Sequence, residues 1–129
     1  MRARLKSFKE TIDEWFVYVI ECDNGSYYTG CTNDIRRRWR EHREAKRGRA
    51  AKYTRSFRPV RLAGCWRITG PKTEAMRIER LIKGMDRSSK CAFVRDPDLL
   101  CALMAEDPEW RSRITIYDPI YDPIEDDKE

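Results

Sequence analysis

Short apolar runs punctuated by turn residues dominate the first third of the chain, and helix-spaced apolar positions take over afterwards. Trp15-Phe16-Val17-Tyr18-Val19-Ile20 is a continuous aromatic and β-branched run, which predicts a buried strand. Asp23-Asn24-Gly25 then supplies a turn, since Asn and Gly tolerate positive φ, and Ser26 to Cys31 reads as the returning strand of a hairpin. At Thr32-Asn33-Asp34 the residues change to helix-capping types, with an acidic side chain where the helix dipole favours it. Ile35, Trp39, His42 and Ala45 recur at spacings of four and three, so they share one face of a helix running to about Arg47, with Gly48 as its stop.

Residues 49–60 form a basic, irregular segment closing at Pro59. Val60, Leu62, Cys65, Trp66 and Ile68 predict a third strand over 60–68. Gly70-Pro71 breaks the chain, and Thr73 is positioned to cap a second helix from Glu74 to Met85, with Ala75, Ile78, Leu81, Ile82 and Met85 as its apolar set. A short helix near Ser88–Val94 follows, then another over Pro97–Ala105 with Leu99, Leu100, Leu103 and Met104 to bury. From Ile114 onward Tyr-Asp-Pro-Ile occurs twice, and proline every four residues forbids helix there. Four segments result: a polar leader (1–14), a mixed strand-and-helix domain (15–94), a helical extension (95–113) and an acidic, proline-containing tail expected to be mobile (114–129).

Charge adds a partner class. The 129 residues carry 27 Lys and Arg against 22 Asp and Glu, for a net charge of +5, but the signs are segregated. Residues 1–94 hold 23 basic and 11 acidic side chains, whereas residues 95–129 hold 4 and 11. A basic body with an acidic tail points to a polyanionic partner, most often nucleic acid. The densest stretch, Arg36 to Arg61, sets 12 basic residues against Glu41 and Glu44, and ten of the 12 are arginine, whose planar fork suits phosphate oxygens. Arg36, Arg37, Arg40, Arg43, Arg49, Lys52, Arg55 and Arg58 are the expected nucleic-acid contacts, with Tyr53 and Phe57 interleaved as stacking surfaces for an unpaired base.

Other classes drop out. No run of 18 apolar residues exists, so no membrane span is expected. The first 14 residues mix Arg2, Arg4 and Lys6 with Glu10, Asp13 and Glu14 and lack the apolar core of a secretory signal. Five cysteines (Cys22, Cys31, Cys65, Cys91, Cys101) without a Cys-x-x-Cys pair predict reduced thiols in a cytoplasmic protein. His42 is the only histidine and has no ligand-spaced companion for zinc.

Five residues carry more specific chemistry. Tyr18 and Tyr28 sit on the two hairpin strands, with nine residues between them and hydroxyls expected near the same surface as the following helix. On that helix Arg38 and His42 are four apart and share a face. Glu79 flanks the apolar stripe of the second helix. A carboxylate, an arginine, a histidine and two tyrosines form a coherent set for phosphodiester hydrolysis. The carboxylate can hold a hard divalent cation, the arginine can stabilise charge accumulating at phosphorus, and a tyrosine or histidine can take a proton from water.

Phe-Val-Tyr at 16–18, followed after nine residues by Tyr-Thr-Gly at 28–30, resembles the paired signature of the GIY-YIG nuclease superfamily. Phe16 replaces its first glycine and Thr29 its second isoleucine. Thr32 to His42 is similar to the family's next block, with Arg38 at the catalytic arginine and His42 at the histidine one turn later. Glu74-Ala75-Met76-Arg77-Ile78-Glu79 resembles the block whose glutamate binds the metal. Ala51-Lys52-Tyr53-Thr54-Arg55 with Pro59-Val60, and Ile82-Lys83-Gly84-Met85 with Lys90, look like the small single-domain YhbQ-like branch.

The resemblance covers roughly residues 15–94. It implies an α/β domain of the α+β type, with a small three-stranded antiparallel sheet flanked by helices. It further implies single-metal hydrolysis of DNA or RNA using Mg2+ or Mn2+. Glu79 would be the metal ligand, Arg38 the phosphate clamp, and Tyr18 or Tyr28 the base or the group orienting water. The expected function is therefore a metal-dependent endonuclease acting on DNA more than RNA, in repair or processing. Two alternatives are a nucleic-acid-binding module of the same fold with little hydrolysis, and an adaptor contacting a partner protein through residues 95–129.

Overall fold

The computed structural model describes residues 13–44 and 57–117. Leader residues 1–12, the segment 45–56 with Arg49, Lys52, Tyr53 and Arg55, and tail residues 118–129 lie outside the described residues. Four strands, β1 (Glu14–Cys22), β2 (Tyr27–Thr32), β3 (Pro59–Thr69) and β4 (Arg113–Ile116), form one antiparallel sheet in the order β2-β1-β3-β4. The helices are α1 (Ile35–Glu44), α2 (Lys72–Lys83), α3 (Arg87–Arg95) and α4 (Asp98–Ala105). The architecture is thus α+β, with an antiparallel sheet flanked by helices.

The unbroken apolar run of β1 has a topological cause. β1 is paired on both edges and covered on both faces, so both sets of alternating side chains are buried from Phe16 to Ile20. Phe16, Tyr18, Ile20 and Cys22 face one cluster, with Ile35 and Trp39 of α1. Val17 and Val19 face a second, with Trp66 and Ile68 of β3, the α2 stripe Ala75, Ile78 and Ile82, and Leu100 and Met104 of α4. Trp66 is fully buried, and its indole N–H donates to the Pro97 carbonyl at 3.0 Å, so the polar edge of the ring is satisfied.

The hairpin between β1 and β2 turns at Gly25, whose φ of 84° is the left-handed conformation that favours glycine. A second element holds this turn. Arg87, at the start of α3, donates from Nε and Nη2 to the Gly25 carbonyl at 3.0 and 2.6 Å. Its guanidinium also lies 5.0 Å from the Tyr27 ring centre.

Three expectations change. The sheet has four strands rather than three, because Arg113-Ile114-Thr115-Ile116, read in sequence as the join between extension and tail, pairs with β3. The alternating β-branched run explains it: Ile114 packs on the second cluster, and the next residue, Tyr117, is buried edge-on against Phe16 with ring centres 5.2 Å apart. Glu14 belongs to β1, not to the leader. Helix α2 begins at Lys72 with Pro71 as its N-cap and no side-chain cap, so Thr73 lies inside the helix. Proline's fixed φ, here −71°, sets the helix entry without a capping hydroxyl.

Candidate active site

The start of α1 is fixed by local hydrogen bonds. The Asp34 backbone N–H donates to Thr32 Oγ1 at 3.1 Å, and the Asp34 carboxylate accepts from the Arg37 backbone N–H at 3.0 Å. With that phase set, Ile35, Trp39 and His42 are buried, while Arg36, Arg37, Arg40 and Arg43 are exposed on the outer side. Arg38 lies between the two, with Nε 3.1 Å from the Glu41 carboxylate. Arg58 is also exposed, and its carbonyl accepts from Asp23 N–H at the hairpin turn.

Tyr18 owes its position to a glycine. In the β1–β2 ladder it stands opposite Gly30, and its ring lies across the space a side chain would fill. A Cβ at residue 30 would overlap the Tyr18 hydroxyl and sit 3.0 Å from Cε1. The ring thereby reaches α1, where its hydroxyl and His42 Nε2 are 3.0 Å apart. Tyr28 pairs with Ile20, two residues along β1, so it projects from the same face. Its ring centre is 5.1 Å from that of His42 and 6.4 Å from that of Tyr18. Four of the five predicted catalytic residues, Tyr18, Tyr28, Arg38 and His42, are thus brought together.

Burial sets their protonation. It pushes the Tyr18 phenol well above the ordinary tyrosine value, and neighbouring Tyr28 pushes the same way, while Arg38 opposes both through its charge and a hydrogen bond. Burial, with the Arg38 cation beside it, pushes His42 down to about 4, so the imidazole is neutral at pH 7 and can accept the Tyr18 proton. Tyr28 is half-buried, and its pKa is also raised by burial, but Lys83 and Arg38 pull it back down while Glu79 raises it.

Glu79 arrives from the other side of the sheet. Helix α2 packs on the face opposite α1, and yet the Glu79 carboxylate lies near enough for its charge to act on both Tyr18 and Tyr28. The edge position of β2 accounts for this, since among the described residues no further strand stands beyond it. The Glu79 side chain is 19% exposed, and its carboxylate lies 3.3 Å from Lys83 Nζ. Lys83 thus stands beside both Glu79 and Tyr28. The sequence signal for that pairing, an acid and a base four apart on a helix, was available.

His42 also makes stability depend on pH. Its folded pKa of about 4 lies below the ordinary 6.5, so between those values the unfolded chain binds the extra proton. Stability is full above pH 6.5 and falls as pH drops toward 4, by at most about 3 kcal/mol. Urea midpoints at several pH values check this: His42→Gln is expected to flatten the slope between pH 4 and 6.5, and an unchanged slope excludes His42 as its source.

The donor set limits how a cation could be held. Among the described residues there is no cluster of three or more His, Cys, Asp or Glu side chains, which excludes a closed protein cage there. A hard ion of the Mg2+ type does not need one, since it commonly keeps waters and takes one or two carboxylates plus phosphate oxygens. Glu79 fits that requirement.

The model of the GIY-YIG catalytic domain matches residues 14–91, from the first residue of β1 into α3. The chain belongs to the GIY-YIG catalytic domain family. A UPF0213 protein of Cupriavidus pinatubonensis is 42% identical over 81 residues, covering 62% of this chain and 84% of that one. A UPF0213 protein of Halobacterium salinarum is 49% identical over 77 residues, covering 60% and 95%. The solution NMR structure of a UPF0213 protein from Bacillus halodurans is 33% identical, covers 74% of this chain and 90% of that one, and gives a TM-score of 0.38. The GIY-YIG match includes β1, β2, α1 and α2, which carry all five candidate residues, and ends before α4 and β4. No helix among the described residues is long and apolar enough to cross a membrane, and the five cysteines are free thiols.

Proposed function

We propose that this GIY-YIG protein is a divalent-metal-dependent endonuclease that hydrolyses phosphodiester bonds in DNA, in repair or processing. The observation that carries the reading is the convergence of Tyr18, Tyr28, Arg38 and His42 beside the arginine-covered side of α1, with the Glu79 charge acting on both phenols. Arg36, Arg37, Arg40 and Arg43 would hold phosphates along α1, with Arg58 and the segment bearing Arg49, Lys52, Tyr53 and Arg55 extending that contact.

The two tyrosines take different roles. Tyr18 is fully buried and bonded to His42, so it positions the imidazole and the wall of the site. Tyr28 is half-buried, and although burial still raises its pKa, Lys83 and Arg38 counter that rise, so of the two phenols it is the one suited to orient the attacking water. Arg38 stabilises charge accumulating on the phosphoryl oxygens. Glu79 would hold Mg2+ or Mn2+, which supplies Lewis-acid polarisation of the scissile phosphate. Lys83 must release Glu79 for that role, since the two now form an ion pair.

That ion pair favours a second reading, a nucleic-acid-binding module with weak hydrolysis, because a protein cation already occupies the carboxylate. Incubating the full chain with linear, flapped and single-stranded DNA in Mg2+, Mn2+ or chelator separates the two. Metal-dependent cleavage of at least one substrate is expected. Binding without cleavage in either metal overturns the enzyme reading and leaves the binding module.

A further inference from the structure

From the surface of α4 we infer that the protein self-associates as a two-fold dimer, through a face that contains none of the candidate catalytic residues. Helix α4 is apolar nearly all round: seven of the eight residues from Asp98 to Ala105 are apolar. Leu100 and Met104 fill the second core cluster, yet Leu99 and Leu103, one turn apart on the adjoining face, remain 41% and 44% exposed. A helix with two apolar sides is normally covered on both.

Leu103 is a ridge between two open grooves. One, of about 630 Å³, runs between α2 and α4 over Leu81, itself 39% exposed. The other, of about 450 Å³, runs between α3 and α4 over Met85 and Phe93. The surface therefore offers both a protruding apolar row and the hollows to receive one.

Charge selects the occupant. Arg80 of α2 and Glu106 at the end of α4 both border the larger groove. Arg77 and Asp107, in the same groove, form an ion pair with each other. A basic or an acidic partner would satisfy one of the two remaining charges and oppose the other. A second copy related by a two-fold axis satisfies both: its Leu99–Leu103 row enters the groove, each Arg80 meets the other protomer's Glu106, and every contact occurs twice. The protruding row belongs to α4, beyond the residues matched to the GIY-YIG domain, and no candidate catalytic residue lines either groove, so the inference does not rest on the nuclease reading.

Sedimentation equilibrium of the full chain, over about 5–500 µM, tests it. A mass of twice 15.4 kDa is expected at the upper end. Leu103→Glu is expected to give a monomer with an unchanged circular dichroism spectrum, since the side chain is exposed. Glu106→Arg is expected to raise the dissociation constant about tenfold or more, and adding Arg80→Glu to restore it. A monomer throughout the range overturns the proposal and leaves the groove to some other occupant. A dimer indifferent to Leu103→Glu, or a charge reversal that the second reversal does not repair, overturns it equally.

Discussion

Glu79→Gln is expected to lower phosphodiester cleavage about a thousandfold, or ~4 kcal/mol of transition-state stabilisation, while DNA affinity stays within about twofold. The substitution keeps the size and hydrogen-bonding ability of the side chain and removes its charge. Losing the pairing with the exposed Lys83 costs little, about 0–1 kcal/mol, so the fold is retained. The charge change also acts on the phenols in the opposite sense. Glu79 raises the pKa of Tyr28, and its neutralisation makes that phenol more acidic. If the carboxylate merely tuned the tyrosines, the variant would cleave as well as the wild type or better. A large loss with preserved binding therefore identifies Glu79 as the cation ligand, and equal cleavage at saturating Mg2+ rejects that role.

Gly30→Ala is expected to destabilise the protein by about 2–4 kcal/mol and to abolish cleavage, from a single added methyl group. The new carbon would overlap the Tyr18 hydroxyl, in a β1 residue enclosed on both faces of the sheet. The ring cannot yield outward, so it must leave its place beside His42 or push β2 away from β1. Either movement takes apart the constellation of rings. The cause is separable by a double-mutant cycle in urea denaturation. In a Tyr18→Ala background the same Gly30→Ala change should cost close to nothing. A similar cost in both backgrounds means that the glycine is required for another reason.

Much of this site was legible because its signals are local. The β1 run, the turn at Asn24-Gly25 and the Thr32–Asp34 cap each depend on neighbouring residues, and the structure realises each where the sequence places it. Period-two alternation also places Tyr18 and Tyr28 on one face once the hairpin is known. What could not be read depends on distant partners. Strand β4 is four residues long and becomes a strand only by pairing with β3, about 45 residues earlier in the chain. The apolar stripe of α2 states that the helix is covered, but not which face of the sheet covers it. Only the structure shows that Glu79 comes from the side opposite Arg38. The depth of Tyr18 was likewise hidden, because it follows from the bare backbone across the ladder at Gly30.

The clasp of Arg87 on the hairpin turn has a dynamic consequence. The loop that joins the two tyrosine-bearing strands is held from outside by a helix 60 residues further along the chain, at the carbonyl of Gly25 and over the ring of Tyr27. Fraying of the hairpin tip is therefore opposed from outside the hairpin, since opening it requires Arg87 to release the Gly25 carbonyl and the Tyr27 ring. Amide protons of Tyr27 to Thr32 should accordingly exchange with solvent in step with those of α3, as one cooperative unit that keeps both phenols in register until the helix lets go.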